Sequence, residues 1–131
     1  MGGIGKTTLA ANVYSDPLIE YYFDTRAWIT LSQVYNVPDI LVQVLNSLRK
    51  LSDTMVHQSE DELSEHIHKT CVWRRYLIVM DDVWSTKSWD DFRRYFPDNK
   101  NGSRIILTTR LERVAIYAGS FKSSPLHESF V

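Results

Sequence analysis

The chain has 131 residues, of which 44% are hydrophobic and 24% are charged, fractions that are ordinary for a soluble globular domain. Fifteen lysines and arginines against sixteen aspartates and glutamates give a net charge of −1, which excludes a basic nucleic-acid footprint and a polybasic membrane patch. The apolar runs are too short to span a bilayer, the first residues have no signal-peptide pattern, and the one cysteine cannot form an internal disulfide. These features favour a single domain in a reducing, cytoplasmic compartment.

The first part of the chain predicts two helices with a strand between them. A helix over Lys6–Tyr14 follows a glycine-rich turn, and the β-branched and aromatic run Ala27–Leu31 predicts a strand. Apolar residues at positions 37, 40, 41, 44, 45, 48 and 51 have the spacing of one helical face, which predicts a helix over Val37–Leu51. Pro38 lies in its first turn, where a missing N–H costs nothing.

The middle of the chain predicts a capped helix and a buried strand. Ser59 and Glu62 form a capping-box signature, so a helix is expected to begin there. Its apolar face would consist of Leu63, Ile67 and Cys71. Tyr76–Met80 is a continuous apolar run, typical of a strand covered on both faces, and it ends abruptly at Asp81 and Asp82.

The last part predicts one more strand between two helices. A short helix is expected near Ser88, followed by a strand over Arg104–Thr109 and a helix over Leu111–Tyr117. The first of these helices would bury two aromatic side chains, Trp89 and Phe92. No element is assigned from Ser120 onward. Three strands alternating with about five helices predict an α/β fold.

The glycine-rich start of the chain matches most of a phosphate-binding P-loop. In the pattern G-x-x-x-x-G-K-[ST], glycines let backbone N–H groups wrap around a phosphate, and the positive end of the following helix attracts the anion. Gly5, Lys6 and Thr7 fit the end of this pattern, but its first glycine would fall one residue before Met1. Lys6 would reach the β- and γ-phosphates, Thr7 would bind magnesium, and Thr8 would donate to an α- or β-phosphate oxygen. The alternative is a flexible glycine-rich terminus followed by an ordinary helix.

Two acidic residues at the end of a buried strand resemble the Walker-B arrangement of P-loop proteins. Asp81 would hold magnesium, in part through water, and Asp82 would orient or deprotonate an attacking water. Taken alone, the pair is equally consistent with a solvated turn after a strand. Together with the upstream P-loop pattern, the nucleotide-binding interpretation is the stronger one.

The next strand also ends in polar residues, Thr108, Thr109 and Arg110. Two hydroxyls and a guanidinium at a strand's carboxyl end lie where a group that senses a γ-phosphate would be placed. A helix N-cap followed by a solvated arginine is the alternative.

His66 and His68 fall on different sides of the predicted helix, so a zinc site is not expected there. The four tryptophans, Trp28, Trp73, Trp84 and Trp89, are interpreted as packing residues.

Four segments carry a family resemblance: GGIGKTTLA, FDTRAWITLSQVY (Phe23–Tyr35), YLIVMDDVW (Tyr76–Trp84) and GSRIILTTR (Gly102–Arg110). In this order and spacing they resemble the NB-ARC domain, the nucleotide-binding module of plant NBS-LRR disease-resistance proteins, which is related to animal apoptosome ATPases. Trp84 and the AWITLSQ run are similar to the coiled-coil (non-TIR) branch. The resemblance covers the chain to about Tyr117, and HESFV at the end resembles the beginning of the family's next motif.

The resemblance implies a three-layer P-loop NTPase fold with a parallel sheet, of which the first P-loop strand and the last strand are missing. Residues 1–131 would then form a partial NB-ARC domain that binds ADP or ATP with Mg²⁺. The implied nucleotide-binding residues are Gly3, Ile4, Gly5, Lys6, Thr7, Thr8 and Arg110, the last reading the γ-phosphate. Thr7 and Asp81 match the metal ligands, and Asp82 matches the catalytic acid.

The family implies a switch that rests with ADP and is activated by exchange for ATP, with at most slow hydrolysis. Coiled-coil and leucine-rich-repeat domains of the parent protein, and self-association on activation, are the implied partners. The chain is expected to be a gene fragment bounded near the P-loop, in which Arg104–Thr109 has an unpaired, apolar, aggregation-prone edge. The alternatives are a catalytic P-loop ATPase or kinase acting on a separate substrate, and a remnant that does not bind nucleotide.

Overall fold

The computed structural model describes residues 3–50, 52–97, 100–119 and 127–130. In this part of the chain, six α-helices and four β-strands are present. The helices are α1 (Gly3–Ser15), α2 (Pro17–Tyr22), α3 (Val37–Ser47), α4 (Glu60–Cys71), α5 (Thr86–Arg93) and α6 (Glu112–Gly119). The strands are β1 (Thr25–Thr30), β2 (Tyr76–Asp81), β3 (Arg104–Thr108) and β4 (His127–Phe130), and a 3₁₀ turn spans Asp53–His57. Within these ranges, no helix is long and apolar enough to cross a bilayer.

The strands form one parallel sheet in the order β1-β2-β3-β4. Met80 of β2 is paired with Ile29 of β1 and with Leu107 of β3, so the three strands end close to the same level. Parallel neighbours need crossover connections, and helices supply them here. The predicted α/β class with a parallel sheet is therefore confirmed.

Side chains that alternate along the strands cover both faces of the sheet. Ile78 and Met80 point into a large core with α3, α4, α5 and α6, whereas Leu77 and Val79 pack with Ala10 of α1 on the other face. All six residues of β2 are buried. A strand covered on both faces has no polar side, which is why Tyr76–Met80 lacks polar residues. The structure thus has helices on both faces of the sheet, as the three-layer fold implied by the resemblance requires.

The capping box at the start of α4 is present as predicted. The Glu62 N–H donates to Ser59 Oγ at 3.2 Å, and the Ser59 N–H donates to Glu62 Oε1 at the same distance. The buried face of α4 consists of Leu63, Ile67, Thr70 and Cys71. Burial raises the pKa of the Cys71 thiol to about 12, so this cysteine stays protonated at neutral pH and cannot act as a thiolate nucleophile.

We expect Ser59→Ala to lower the free energy of unfolding by about 1 kcal/mol, because the Glu62 N–H then loses its acceptor. Urea denaturation followed by circular dichroism measures the change. Ser64→Ala makes the same chemical change inside the helix and should alter the stability by less than about 0.5 kcal/mol, since alanine favours a helix. Equal losses in the two variants would contradict the capping explanation.

The start of α1 and the end of α3 differ most from the predicted helix boundaries. α1 begins at Gly3, so Gly3 and Gly5, which were predicted to form a separate turn, lie in its first turn. Extending a helix adds one hydrogen bond per residue, which offsets the cost of about 1 kcal/mol for each helical glycine. α3 ends at Ser47 instead of Leu51 because Arg49 adopts a left-handed φ of 60°. The Lys50 N–H then donates to Leu45 O at 2.9 Å, which closes the helix end as a Schellman motif.

Three elements were not predicted: α2, the 3₁₀ turn Asp53–His57 and β4. The short helix α2 begins with an Asp16 cap, whose carboxylate accepts from the Leu18 N–H at 2.8 Å, followed by Pro17; this is a common helix-start signature. The strand β4 lies where no element was assigned and where the last strand was expected to be missing. It pairs with β3 from Ile105↔His127 to Thr108↔Phe130, so the expectation of an unpaired β3 edge is wrong. Strand pairing satisfies the backbone N–H and C=O groups, and the pattern of side chains does not indicate which backbone groups are paired.

Candidate functional site

The carboxyl ends of β2 and β3 bring Asp81 and Thr108 together. The register places Met80 opposite Leu107, so the next residues of the two strands are also neighbours. The Thr108 hydroxyl donates to Asp81 Oδ1 at 2.5 Å. Asp81 is 7% exposed and Thr108 is 2% exposed. The carboxylate therefore lies in a nearly dry position at the strand edge where α/β proteins bind ligands.

Asp82 leaves the sheet with an unusual backbone conformation. Its φ is 66°, in the left-handed region that aspartate tolerates better than most residues do. The Asp82 N–H donates to Thr108 Oγ1 at 2.8 Å, so β3 helps to hold this turn. Asp82 is half-buried. Its predicted role as the catalytic acid is not tested by these contacts and stays a prediction.

The residues at the end of β3 are hydrogen-bonded to the segment that follows β2. The Val83 N–H donates to Thr108 O at 2.8 Å, and the Thr109 hydroxyl donates to Val83 O at 2.7 Å. Thr109 Oγ1 also accepts from the Leu111 N–H at 3.1 Å, which is the kind of local capping contact that the alternative interpretation expected. Arg110, in the same loop, is exposed.

The direction of α1 brings the predicted P-loop towards the same edge. Arg26, near the start of β1, donates to Tyr14 O and stacks on the Tyr14 ring, so the end of α1 lies at the amino ends of the strands. Val13 lines a groove with Leu77 and Arg104, which are near the starts of β2 and β3. α1 therefore runs antiparallel to the strands. A helix of this length spans about 20 Å, about as far as a six-residue strand, so its first turn lies at the carboxyl edge.

The predicted P-loop residues are only partly described. For Gly3, Ile4, Gly5, Lys6 and Thr7 the backbone is helical, and their side chains lie outside what the structure describes. Thr8 is exposed. Their predicted phosphate and metal contacts stay predictions.

The acidic side chains at this edge fit one kind of cation better than others. Among the described residues, no group of three or more His, Cys, Asp or Glu side chains could hold a metal ion. Magnesium needs no such cage, because it keeps several waters and is held by one or two carboxylates together with substrate phosphates. One buried carboxylate at this edge is thus compatible with a magnesium–phosphate ligand and incompatible with a structural zinc site.

The sequence places Thr108 near a phosphate but does not predict its contact with Asp81. The signal was available, because both residues end consecutive buried strands and such strands usually lie side by side. Trp73 is a second correction: it was interpreted as a packing residue and is 90% exposed, whereas Trp89 is fully buried as predicted.

The chain matches one protein family over its full length and several curated proteins over nearly all of it. Residues 1–131 match the family described as NB-ARC domain. Three late blight resistance protein homologs of Solanum demissum are similar to the chain. The first is 46% identical over 127 residues, which cover 97% of this chain and 10% of that protein. The second is 48% identical over 128 residues, which cover 97% of this chain and 11% of that protein. The third is 47% identical over 133 residues, which cover 97% of this chain and 10% of that protein. The chain thus spans about a tenth of the length of these curated relatives.

Proposed function

The chain belongs to the NB-ARC domain family, and we propose that it is the ADP/ATP-binding switch module of an intracellular plant disease-resistance receptor. The similar proteins are named as late blight resistance protein homologs, which supports the defence role. The observation that carries the nucleotide role is the buried Asp81 carboxylate, oriented by Thr108 at the carboxyl edge of the sheet, the edge that the start of α1 faces.

The phosphates of the nucleotide would bind at the start of α1. The first backbone N–H groups of any helix have no partners within the helix, and the helix dipole makes that end positive. Gly3, Ile4, Gly5, Lys6, Thr7 and Thr8 would form the cradle, in which glycines let the phosphate approach the backbone. Lys6 would add a full positive charge. This arrangement suits the phosphates of ADP and ATP alike.

Asp81 and Thr7 would hold Mg²⁺ beside those phosphates. When bound, the ion neutralises part of the phosphate charge. The Thr108 hydroxyl fixes Asp81 Oδ1, so the carboxylate is already oriented before any ion arrives. Asp82 would orient a water for slow hydrolysis, which would return the module to its ADP-bound form.

Arg110 would distinguish ATP from ADP. Its loop follows β3 directly and is fastened to Val83 through Thr109, while its own side chain is exposed and able to reach outwards. A γ-phosphate adds negative charge that a guanidinium binds strongly. Shifting a two-state protein from 1:99 to 99:1 takes about 5.5 kcal/mol of differential binding, which several charged contacts can supply. Coiled-coil and leucine-rich-repeat domains of the parent protein would receive this signal, and self-association would follow activation.

We expect the 131-residue chain to bind ADP more tightly with Mg²⁺ than in EDTA, and Asp81→Asn to remove most of that difference. Asparagine keeps an oxygen that accepts from Thr108 but has no charge for the cation, so affinity with Mg²⁺ should fall about tenfold or more. Affinity in EDTA should change less than about threefold. Isothermal titration calorimetry measures both.

Asp53→Asn removes an exposed carboxylate from the 3₁₀ turn and serves as the control. Equal losses with and without Mg²⁺ in Asp81→Asn would contradict the metal role. No ADP binding by the unmodified chain under either condition would contradict the proposed function for these residues. Rapid multiple-turnover ATP hydrolysis without a signalling partner would instead support a catalytic ATPase.

A further inference from the structure

The Thr108 side chain connects the predicted metal ligand Asp81 with the backbone of the next residue, Asp82. Its hydroxyl donates to Asp81 Oδ1 at 2.5 Å and accepts from the Asp82 N–H at 2.8 Å. Thr108 is 2% exposed and Asp81 is 7% exposed, so bulk water competes little for either contact. One hydroxyl on β3 therefore contacts both acidic residues at the end of β2.

A threonine hydroxyl has one proton, and the Thr108 hydroxyl donates its proton to the Asp81 carboxylate. Because it has a single proton to donate, it cannot turn away from Asp81 without losing the hydrogen bond. Hydrogen bonds to an ionised oxygen are shorter and stronger than neutral ones. The contact thus restricts the side-chain rotation of Asp81, and the acceptor role holds the left-handed backbone of Asp82.

We propose that Thr108 is a positioning residue, which holds the Asp81 carboxylate in the orientation that a divalent cation requires. This inference rests on the proposed function, because the cation would arrive with the nucleotide. In this role Thr108 contacts neither the cation nor the nucleotide, and it acts through Asp81. A site held within about 0.5 Å of its productive geometry depends on such supporting hydrogen bonds.

Thr108→Val is the direct test, because valine has nearly the same shape and lacks the hydroxyl. The quantity measured is the ratio of the ADP dissociation constant in EDTA to that in Mg²⁺. We expect this ratio to fall about tenfold or more in Thr108→Val, since removing a side chain that orients a metal ligand typically lowers metal affinity by about tenfold to a hundredfold. The dissociation constant in EDTA should change less than about twofold, and Thr108→Ser should restore the ratio.

Thr70→Val is the matched control, since it removes a buried threonine hydroxyl that donates to His66 O in α4. It should leave the ratio unchanged. An unchanged ratio in Thr108→Val, or an equal loss of affinity in EDTA and in Mg²⁺, would overturn the positioning role. Thr108→Ala, which removes both the hydroxyl and the γ-methyl group, replaces the valine variant if circular dichroism shows that the latter does not fold.

A second measurement needs no nucleotide. The ¹³C chemical shift of the Asp81 carboxylate reports its hydrogen bonding in the free chain. It should move in Thr108→Val and return in Thr108→Ser; no movement would overturn the inference. If the unmodified chain does not bind ADP, the proposed function fails, and the carboxylate shift still decides whether Thr108 holds Asp81.

Discussion

We expect Lys6→Ala to lower the affinity of the chain for ADP by about tenfold to a hundredfold, both with Mg²⁺ and in EDTA. The ammonium group would contact phosphate oxygens directly, and charge-assisted contacts contribute about 1.5–3 kcal/mol. Loss in both conditions distinguishes this variant from Asp81→Asn, which should act only when the metal is present. Isothermal titration calorimetry with ADP provides the comparison.

Lys69→Ala is the control for the change in net charge. Lys69 is exposed and forms an ion pair with Glu65 at 2.9 Å on the surface of α4, so ADP affinity should not change. Lys6→Arg should not restore full affinity, because the planar guanidinium does not replace a compact ammonium in a close cradle. An affinity that is the same in Lys6→Ala as in the unmodified chain would show that the phosphate-cradle assignment is wrong.

We expect Trp89→Ala to lower the free energy of unfolding by about 3–5 kcal/mol, the range for removing a large buried aromatic side chain. The Trp89 side chain is fully buried in the core between the sheet and the helices on its α3–α6 face, together with Phe92 of the same helix. A domain of this size typically has only about 5–15 kcal/mol of stability, so much of the chain would unfold at modest urea concentrations. Urea denaturation followed at 222 nm measures the loss without relying on tryptophan fluorescence.

Trp73→Ala makes the identical chemical change at the surface. Trp73 is 90% exposed in the turn between α4 and β2, so its removal should change the stability by less than about 0.5 kcal/mol. The two variants remove the same side-chain atoms, from a buried helical site in one case and from an exposed turn in the other. If Trp73→Ala cost as much as Trp89→Ala, the turn would depend on a contact that burial does not reveal.

Much of the architecture follows from the sequence because it depends on residues close together in the chain. The capping box at Ser59 and Glu62 and the apolar face that follows it are formed within a few residues, and both are present as predicted. The uniformly apolar run Tyr76–Met80 likewise indicated a strand covered on both faces, from which the layered α/β fold follows. Family membership was also recognisable from four local segments.

What only the tertiary structure decided involves residues that are distant in the chain. Thr108 and Asp81 are 27 positions apart, and their hydrogen bond exists because β3 lies beside β2 in a particular register. The pairing of β4 with β3 and the exposure of Trp73 have the same origin, since each depends on which surfaces meet. Local patterns encode helix faces and caps, whereas contacts between strand ends are set by backbone pairing, which places no unique demand on either side chain. The sequence by itself therefore determined the fold class and the candidate acids, and the packed sheet decided how Asp81 is held.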